Sequence, residues 1–386
     1  MNGSIRQRGK THTAYWFTID PATGKRVQHS KGGFLTIKAA RGYLNTILAK
    51  VEEGSWMPNA KMSIKEFVEK QWLPSLDAAE AGGSLKPTTV AFYRHIVHRH
   101  VVVRLGGVKL SSLSAPMLNS FYGDLLRDGR GAGGAGLSPT TVARVHVTVH
   151  RFLRDAVRWG VLQRNVADQA TAPRPIKRKM APWSPRETGQ FLATTRGTRL
   201  SALWQLAAMT GLRRGEVCGL RWCDVDLEQR RLTVARARVM AGGQVVSSSP
   251  KTVGSARTIG LDELTASVLR AHRSRQNEWR LAAGEAWMGD DTIFTDELGR
   301  PLHPTAVSKF FKAAAHEAGM PLIRFHDLRH GYATAALEAG AAMKVVSERL
   351  GHRSISITAD VYSHVRPEVD QALADEVAAI IAEAAR

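Results

Sequence analysis

Residues 322–330 read Leu-Ile-Arg-Phe-His-Asp-Leu-Arg-His, and residues 350–364 read Leu-Gly-His-Arg-Ser-Ile-Ser-Ile-Thr-Ala-Asp-Val-Tyr-Ser-His. The first run places His326, Arg329 and His330 within about one helical turn. The second supplies His352 behind a glycine, and then Tyr362. Positions three apart on a helix share a face, so His326 and Arg329 can address one target. Imidazoles and a guanidinium are donors suited to a phosphate, and the planar arginine fork can hold two of its oxygens together. A tyrosine beside such a cradle is a potential nucleophile, because neighbouring positive charge favours its phenolate.

Two plainer readings compete. His326 and His330 have the i, i+4 spacing of the zinc motif H-E-x-x-H, with aspartate in place of glutamate. Arg329 lies between the would-be ligands, and a fixed cation there opposes a dication, so no metal site is expected. The other reading makes both histidines ordinary helix residues and Tyr362 part of the core.

Upstream residues tilt the balance. Thr210-Gly211-Leu212-Arg213-Arg214-Gly215-Glu216 is followed by Leu220-Arg221-Trp222-Cys223-Asp224-Val225-Asp226. Strand-like stretches at 231–239 and 244–249 lead to Pro250-Lys251-Thr252 and Ser255-Ala256-Arg257-Thr258-Ile259. With His326-x-x-Arg329, Leu350-Gly351-His352 and Tyr362, this order of boxes resembles the tyrosine recombinase (phage-type integrase) family. The first box is similar to the family's arginine box, and the second to its hairpin with a lysine in the turn.

The resemblance implies a site-specific DNA recombinase that cleaves and rejoins DNA through a 3′-phosphotyrosyl intermediate. Tyr362 would be the nucleophile, and Arg213 and Arg329 would stabilise the non-bridging phosphate oxygens. Lys251 would protonate the 5′-oxygen leaving group. His326 and His352 would donate hydrogen bonds, with His326 able to accept the tyrosine proton, and Glu216 would orient Arg213. The bond energy is retained in the phosphotyrosine, so a 5′-hydroxyl can reverse the step without metal, ATP or any cofactor. The same chemistry could instead serve plasmid or chromosome dimer resolution, or relaxation of supercoils. A catalytically silent DNA-binding regulator is the reading from another class, and it predicts binding without a covalent complex.

Composition is consistent with a polyanionic partner. The chain has 386 residues, with 54 Lys and Arg against 34 Asp and Glu, for a formal net charge of +20. That length allows two or three domains with their own cores. No apolar run approaches the roughly 18 residues of a spanning helix, so a membrane partner is not expected. The start, Met1-Asn2-Gly3-Ser4-Ile5-Arg6-Gln7-Arg8, lacks the apolar region of a signal peptide. Cys218 and Cys223 are the only cysteines, which argues against a disulfide scaffold and suits a reducing cytoplasm.

Three units are expected along the chain. Residues 1–56 read as a small β+α unit, with short strands at 5–7, 15–20 and 26–29. A Pro21-Ala22-Thr23-Gly24 turn joins the last two. A helix follows, capped by Thr36 and closed by Gly54, with Ala40, Tyr43, Leu44, Ile47, Leu48 and Val51 on one stripe. Arg6, Arg8, Lys10, Lys25 and Arg26 crowd the strands and are candidate DNA contacts. The unit is similar to the family's arm-type DNA-binding domain.

Residues 62–171 read as all-helical. Ser63-Ile64-Lys65-Glu66 forms a capping box, and Pro87, Ala115-Pro116 and Ser138-Pro139 open further helices. The fourth helix buries Val142, Val145, Val149, Phe152, Leu153 and Val157, and Gly160 ends it. Its other side, Arg144, His150, Arg151, Arg154 and Arg158, is read as a phosphate-contacting face; Arg94 joins Arg151 and Arg154 as candidate contacts. The order of elements resembles the family's core-binding domain. Gly129 to Gly136 lacks the Gly-Lys-Ser/Thr ending of a nucleotide loop and is read as a connection. The linker 171–182 carries Lys177, Arg178 and Lys179, also candidate DNA contacts.

Residues 183–386 are expected to form the catalytic domain, mainly α (α+β). From Pro367, residues Val369, Leu373, Val377, Ile380 and Ile381 recur at helical spacing, opposite Asp370, Asp375, Glu376 and Glu383. An acidic face suits a protein neighbour rather than DNA. Such a helix can fold back on its own domain; the resemblance implies that it can instead dock on a neighbouring protomer, in a tetramer assembled on double-stranded attachment sites. Accessory DNA-bending and directionality proteins are further partners that the resemblance allows.

Overall fold

The structure, a computed structural model, describes residues 3–19, 24–52, 62–130, 134–175, 182–248, 256–352 and 354–361. The chain divides into two compact units, Met1–Lys177 and Arg178–Arg386. The turn at 21–23, Gly54, Lys177, Arg178, Lys179, Lys251, Tyr362 and the tail 367–386 lie outside the described residues. Among the described residues, no helix is long and apolar enough to cross a membrane.

The first unit contains two separate cores. β1 (Ser4–Arg8), β2 (Thr11–Ile19) and β3 (Arg26–Phe34) form an antiparallel sheet in chain order. α1 (Ile37–Glu52) follows, and the Thr36 hydroxyl accepts from the Ala39 amide at 3.1 Å, as an N-cap does. Ala40, Leu44 and Ile47 are buried, and Leu44 and Ile47 share a core with Ala14 and Trp16, so the expected stripe is the one that packs. Arg6 lies over the Tyr15 ring and Arg26 over Phe17, 4.1 Å from its centroid. Stacking of this kind holds a guanidinium to the sheet while leaving its N–H groups free to face a partner.

The second core is helical: α2 (Ile64–Phe67), α3 (Leu73–Ala81), α4 (Pro87–Ile96), α5 (Val102–Leu105), α6 (Ala115–Asp128) and α7 (Pro139–Arg158). Ser63 and Glu66 form the reciprocal capping box, and Ser138 caps α7 through the Thr141 amide. Two π-helical turns, Val68–Trp72 and Val97–Val101, are not announced by the apolar spacing. Buried Asp155 accepts from the Trp72 indole at 3.0 Å and pairs with Arg151 and Arg158. His150 pairs with Asp168, and Arg94 with Asp77. Of the cations read as one DNA face on α7, Arg144, Arg154 and Arg158 are exposed, and Arg158, like half-buried Arg151 and His150, also binds a carboxylate of its own unit.

The second unit opens with α8 (Pro185–Thr194), α9 (Ser201–Thr210) and α10 (Arg214–Gly219). Next come β4 (Val225–Asp226), β5 (Arg231–Val234), β6 (Ala237–Ala241), β7 (Gln244–Ser248) and β8 (Arg257–Gly260). The chain continues in α11 (Glu263–Ala283), α12 (Pro304–Glu317), α13 (Asp327–Glu338), α14 (Met343–Leu350) and α15 (Ile355–Val361). The stretch 231–239, read as one strand, is two: β5 pairs with β4 and β8, and β6 pairs with β7. The break falls where the Arg236 side chain turns to Asp224 at 3.3 Å, so the strand-like pattern runs on while the pairing partner changes. An aromatic core of Trp183, Phe191, Trp204, Phe311 and Phe325 lies beneath these elements.

Candidate active site

Two left-handed glycines shape the site. Gly211 (φ 63°) ends α9, and Gly351 (φ 66°) ends α14. A Cβ on Gly211 would meet Leu350 Cδ2 at 2.6 Å, and one on Gly351 would meet the Arg257 guanidinium at 2.9 Å. The left-handed backbone angle is what calls for glycine at both positions, and a Cβ there would also push on the Leu350 and Arg257 side chains.

Arg213 immediately precedes α10. Its amide donates to Glu216 Oε2 at 2.9 Å and its Nη1 to Oε1 at 2.8 Å, while its Nη2 reaches the Gly351 carbonyl at 2.7 Å. Arg329, in the first turn of α13, is 2% exposed. It donates to the Gly211 carbonyl at 2.8 Å and to the Leu350 carbonyl at 2.5 Å. Arg257 completes the set, with its Nε on the Arg349 carbonyl at 2.8 Å. The last carbonyls of α14 thus each receive a guanidinium from a different segment. A helix C-terminus offers both unsatisfied acceptors and partial negative charge, so it suits three cations.

Burial is the main charge modifier here. It lowers the Arg329 pKa to about 9, with the Arg213 charge adding to the effect; the group is still a cation at neutral pH. Burial also pushes Glu216 up, but the Arg257 hydrogen bonds and charge, with those of Arg213, outweigh it and hold the carboxyl below its ordinary range. His326 stands just before α13, its ring 5.1 Å from that of His330 and perpendicular to it. It keeps an exposed edge, yet burial of the rest of the ring, with His330 and Arg329 nearby, lowers its pKa to about 4. His352 Nδ1 and Thr358 Oγ1 are 2.8 Å apart. Burial, then Arg329 and Arg213, bring its pKa to about 4 as well.

Both imidazoles are thus neutral at pH 7. Between pH 6.5 and 4 the unfolded chain binds the histidine protons and the folded chain does not, so stability falls as pH is lowered through that window. We expect Tm of the DNA-free protein to drop by roughly 2–4 °C between pH 6.5 and 5, about 1 kcal/mol for a unit of this size. Solvent reaching both partly exposed rings screens much of the displacement. Thermal melts of a His326→Gln/His352→Gln protein check this: its Tm should vary less over the same interval, and an equal slope would refute the assignment.

The structure brings together Arg213, Glu216, His326, Arg329 and His352 from segments far apart in sequence. Lys251 and Tyr362 lie outside the described residues. Tyr332, the other tyrosine of this region, packs against Gly211, and the Arg349 guanidinium lies over its ring. The residue that sequence reasoning missed is Arg257. Its signal was a charged side chain at the register position of buried Ile259, two residues on along β8, which calls for a buried acid.

Residues 185–368 match the phage integrase family, and residues 4–51 match an arm DNA-binding domain. A tyrosine recombinase XerC-like protein of Caldanaerobacter subterraneus is 32% identical over 304 residues, covering 74% of this chain and 76% of its own. The ICEBs1 integrase of Bacillus subtilis is 24% identical over 96% of this chain and 97% of its own. The Tn1549 transposon integrase, solved in complex with transposon right end DNA, shares the fold with a TM-score of 0.68 and 18% identity. It covers 82% of this chain and 100% of that one. With an arm-type domain of one small sheet, a helical unit and this arginine–histidine site in a mainly α catalytic domain, the chain belongs to the tyrosine recombinase family, as an integrase of the phage or mobile-element type.

Proposed function

We propose that this protein integrates and excises a phage or other mobile element by cleaving and rejoining double-stranded DNA through a 3′-phosphotyrosine on Tyr362. The observation that carries the reading is the convergence of Arg213 and Arg329 on one helix end, with neutral His326 and His352 beside them. Two guanidiniums placed before the substrate arrives can meet the negative charge that grows on a phosphate in the transition state. Each already holds a carbonyl, yet a guanidinium fork carries further N–H groups for phosphate oxygens. The neutral imidazoles add hydrogen-bond donors without adding charge, and one can take up the tyrosine proton. Lys251 is assigned the protonation of the leaving 5′-oxygen. The arm-domain match supports a mobile-element role over dimer resolution. The reading carries with it a cytoplasmic protein that assembles on its attachment sites through residues 367–386.

The test is covalent trapping on a nicked attachment-site duplex in excess EDTA, followed by mapping of the DNA-linked peptide. We expect the adduct to form at full yield with chelator and to map to residue 362. An adduct that requires added magnesium or zinc, or that maps elsewhere, would refute the mechanism.

A further inference from the structure

Arg257 is a half-buried charge that the proposed chemistry leaves unused. Its side chain is 15% exposed. Nη1 donates to Glu216 Oε1 at 3.0 Å, Nη2 to Oε2 at 2.8 Å and Nε to the Arg349 carbonyl at 2.8 Å. Glu216 Oε1 also accepts from Arg213 Nη1, and Oε2 from the Arg213 amide. One carboxylate is therefore shared by two guanidiniums.

We infer that Arg257 is a positioning residue for cleavage, setting how strongly Glu216 holds Arg213 and where the end of α14 lies. The inference rests on the function proposed above and deepens it. Arg257 divides the Glu216 charge, leaving Arg213 only partly neutralised and able to meet a phosphate. Without Arg257, the whole carboxylate charge falls on Arg213, which offers the scissile phosphate less positive potential. The Arg349 carbonyl also loses its donor, at the same helix end whose next two carbonyls hold Arg329 and Arg213. Arg257 thus acts on the phosphate through Arg213 and touches no reacting atom. A bidentate bond combined with a third donor direction is a task for arginine that a lysine cannot perform.

The experiment compares single-turnover cleavage at saturating DNA by the parent protein, Arg257→Gln and Arg257→Lys. Two substrates are used, one with the ordinary phosphodiester and one with a methylphosphonate at the scissile position. The second lacks the negative non-bridging oxygen that Arg213 must neutralise. Weakening one cation at the growing transition-state charge can cost on the order of a hundredfold, and that loss is expected for Arg257→Gln on the phosphodiester. On the methylphosphonate the variant should come within about fivefold of the parent, and DNA affinity should stay within about threefold, because the defect lies in charge matching. Arg257→Lys should fall between parent and Gln on the phosphodiester, and it serves alone if the Gln protein does not fold. Equal defects on both substrates would reduce Arg257 to a structural ion pair and overturn the inference, as would parental rates in either variant. A parent protein that forms no adduct would overturn the proposed function and this role together.

Discussion

A Tyr362→Phe protein should bind its attachment site with near-parental affinity and yield no covalent DNA adduct. Phenylalanine keeps the ring and removes only the oxygen that would attack phosphorus, so binding surface is conserved while the chemical step has no nucleophile. Tyr332→Phe is the matched control. Its ring contacts Gly211 and lies beneath the Arg349 guanidinium, contacts that phenylalanine retains, and its adduct yield should stay within about twofold of the parent, a change of under half a kcal/mol. Gel-shift titration and denaturing gels of trapped complexes read both quantities on the same samples. An adduct persisting in Tyr362→Phe would move the nucleophile to another residue.

Arg329→Ala should be costly to both fold and chemistry. The side chain is buried and supplies donors to the carbonyls of Gly211 and Leu350. An unpaired buried acceptor costs about 1–3 kcal/mol, so a loss of roughly 2–5 kcal/mol in denaturant unfolding is expected, within the range for disrupting a buried network. Cleavage should fall by at least about a hundredfold, as on removal of one donor from an oxyanion site. Arg329→Lys keeps a charge but cannot fork between two carbonyls, so it should recover part of the stability and little of the rate. Unchanged unfolding in Arg329→Ala would show that the two carbonyl bonds contribute nothing.

Much of this was legible in the chain because the relevant physics is local. Ser63, Ser138 and Thr36 announce their helices through side-chain caps within three residues, and the buried stripe of α1 follows from spacing alone. The arginine and histidine boxes were legible through their order, which resembles a known family. Whether their side chains meet is a matter of tertiary structure. What spacing could not show is which charges pair with carboxylates of the protein itself. Arg151 and Arg158 look like neighbours of Arg154 on a basic face, yet both turn to Asp155, which is buried and bonded to Trp72 from another helix. Arg257 and Glu216 are 41 residues apart, and nothing in the local pattern of either names the other. The split of 231–239 into β5 and β6 was hidden for the same reason, since strand pairing is chosen by distant partners.

The carboxyl end of α14 has a mechanical consequence. Arg257, Arg329 and Arg213 hold three consecutive carbonyls of that end, those of Arg349, Leu350 and Gly351, and His352 is the next residue. The helix is 8 residues long, so it turns as one stiff lever, and a small rotation detunes all three guanidiniums and the imidazole in concert. Damage at any rung should therefore spread to the others as a threshold failure rather than a graded one. The Gly351 and His352 amides, bonded to the carbonyls of Glu348 and Ser347, become a single readout of that lever: their hydrogen exchange reports whether the whole site is latched.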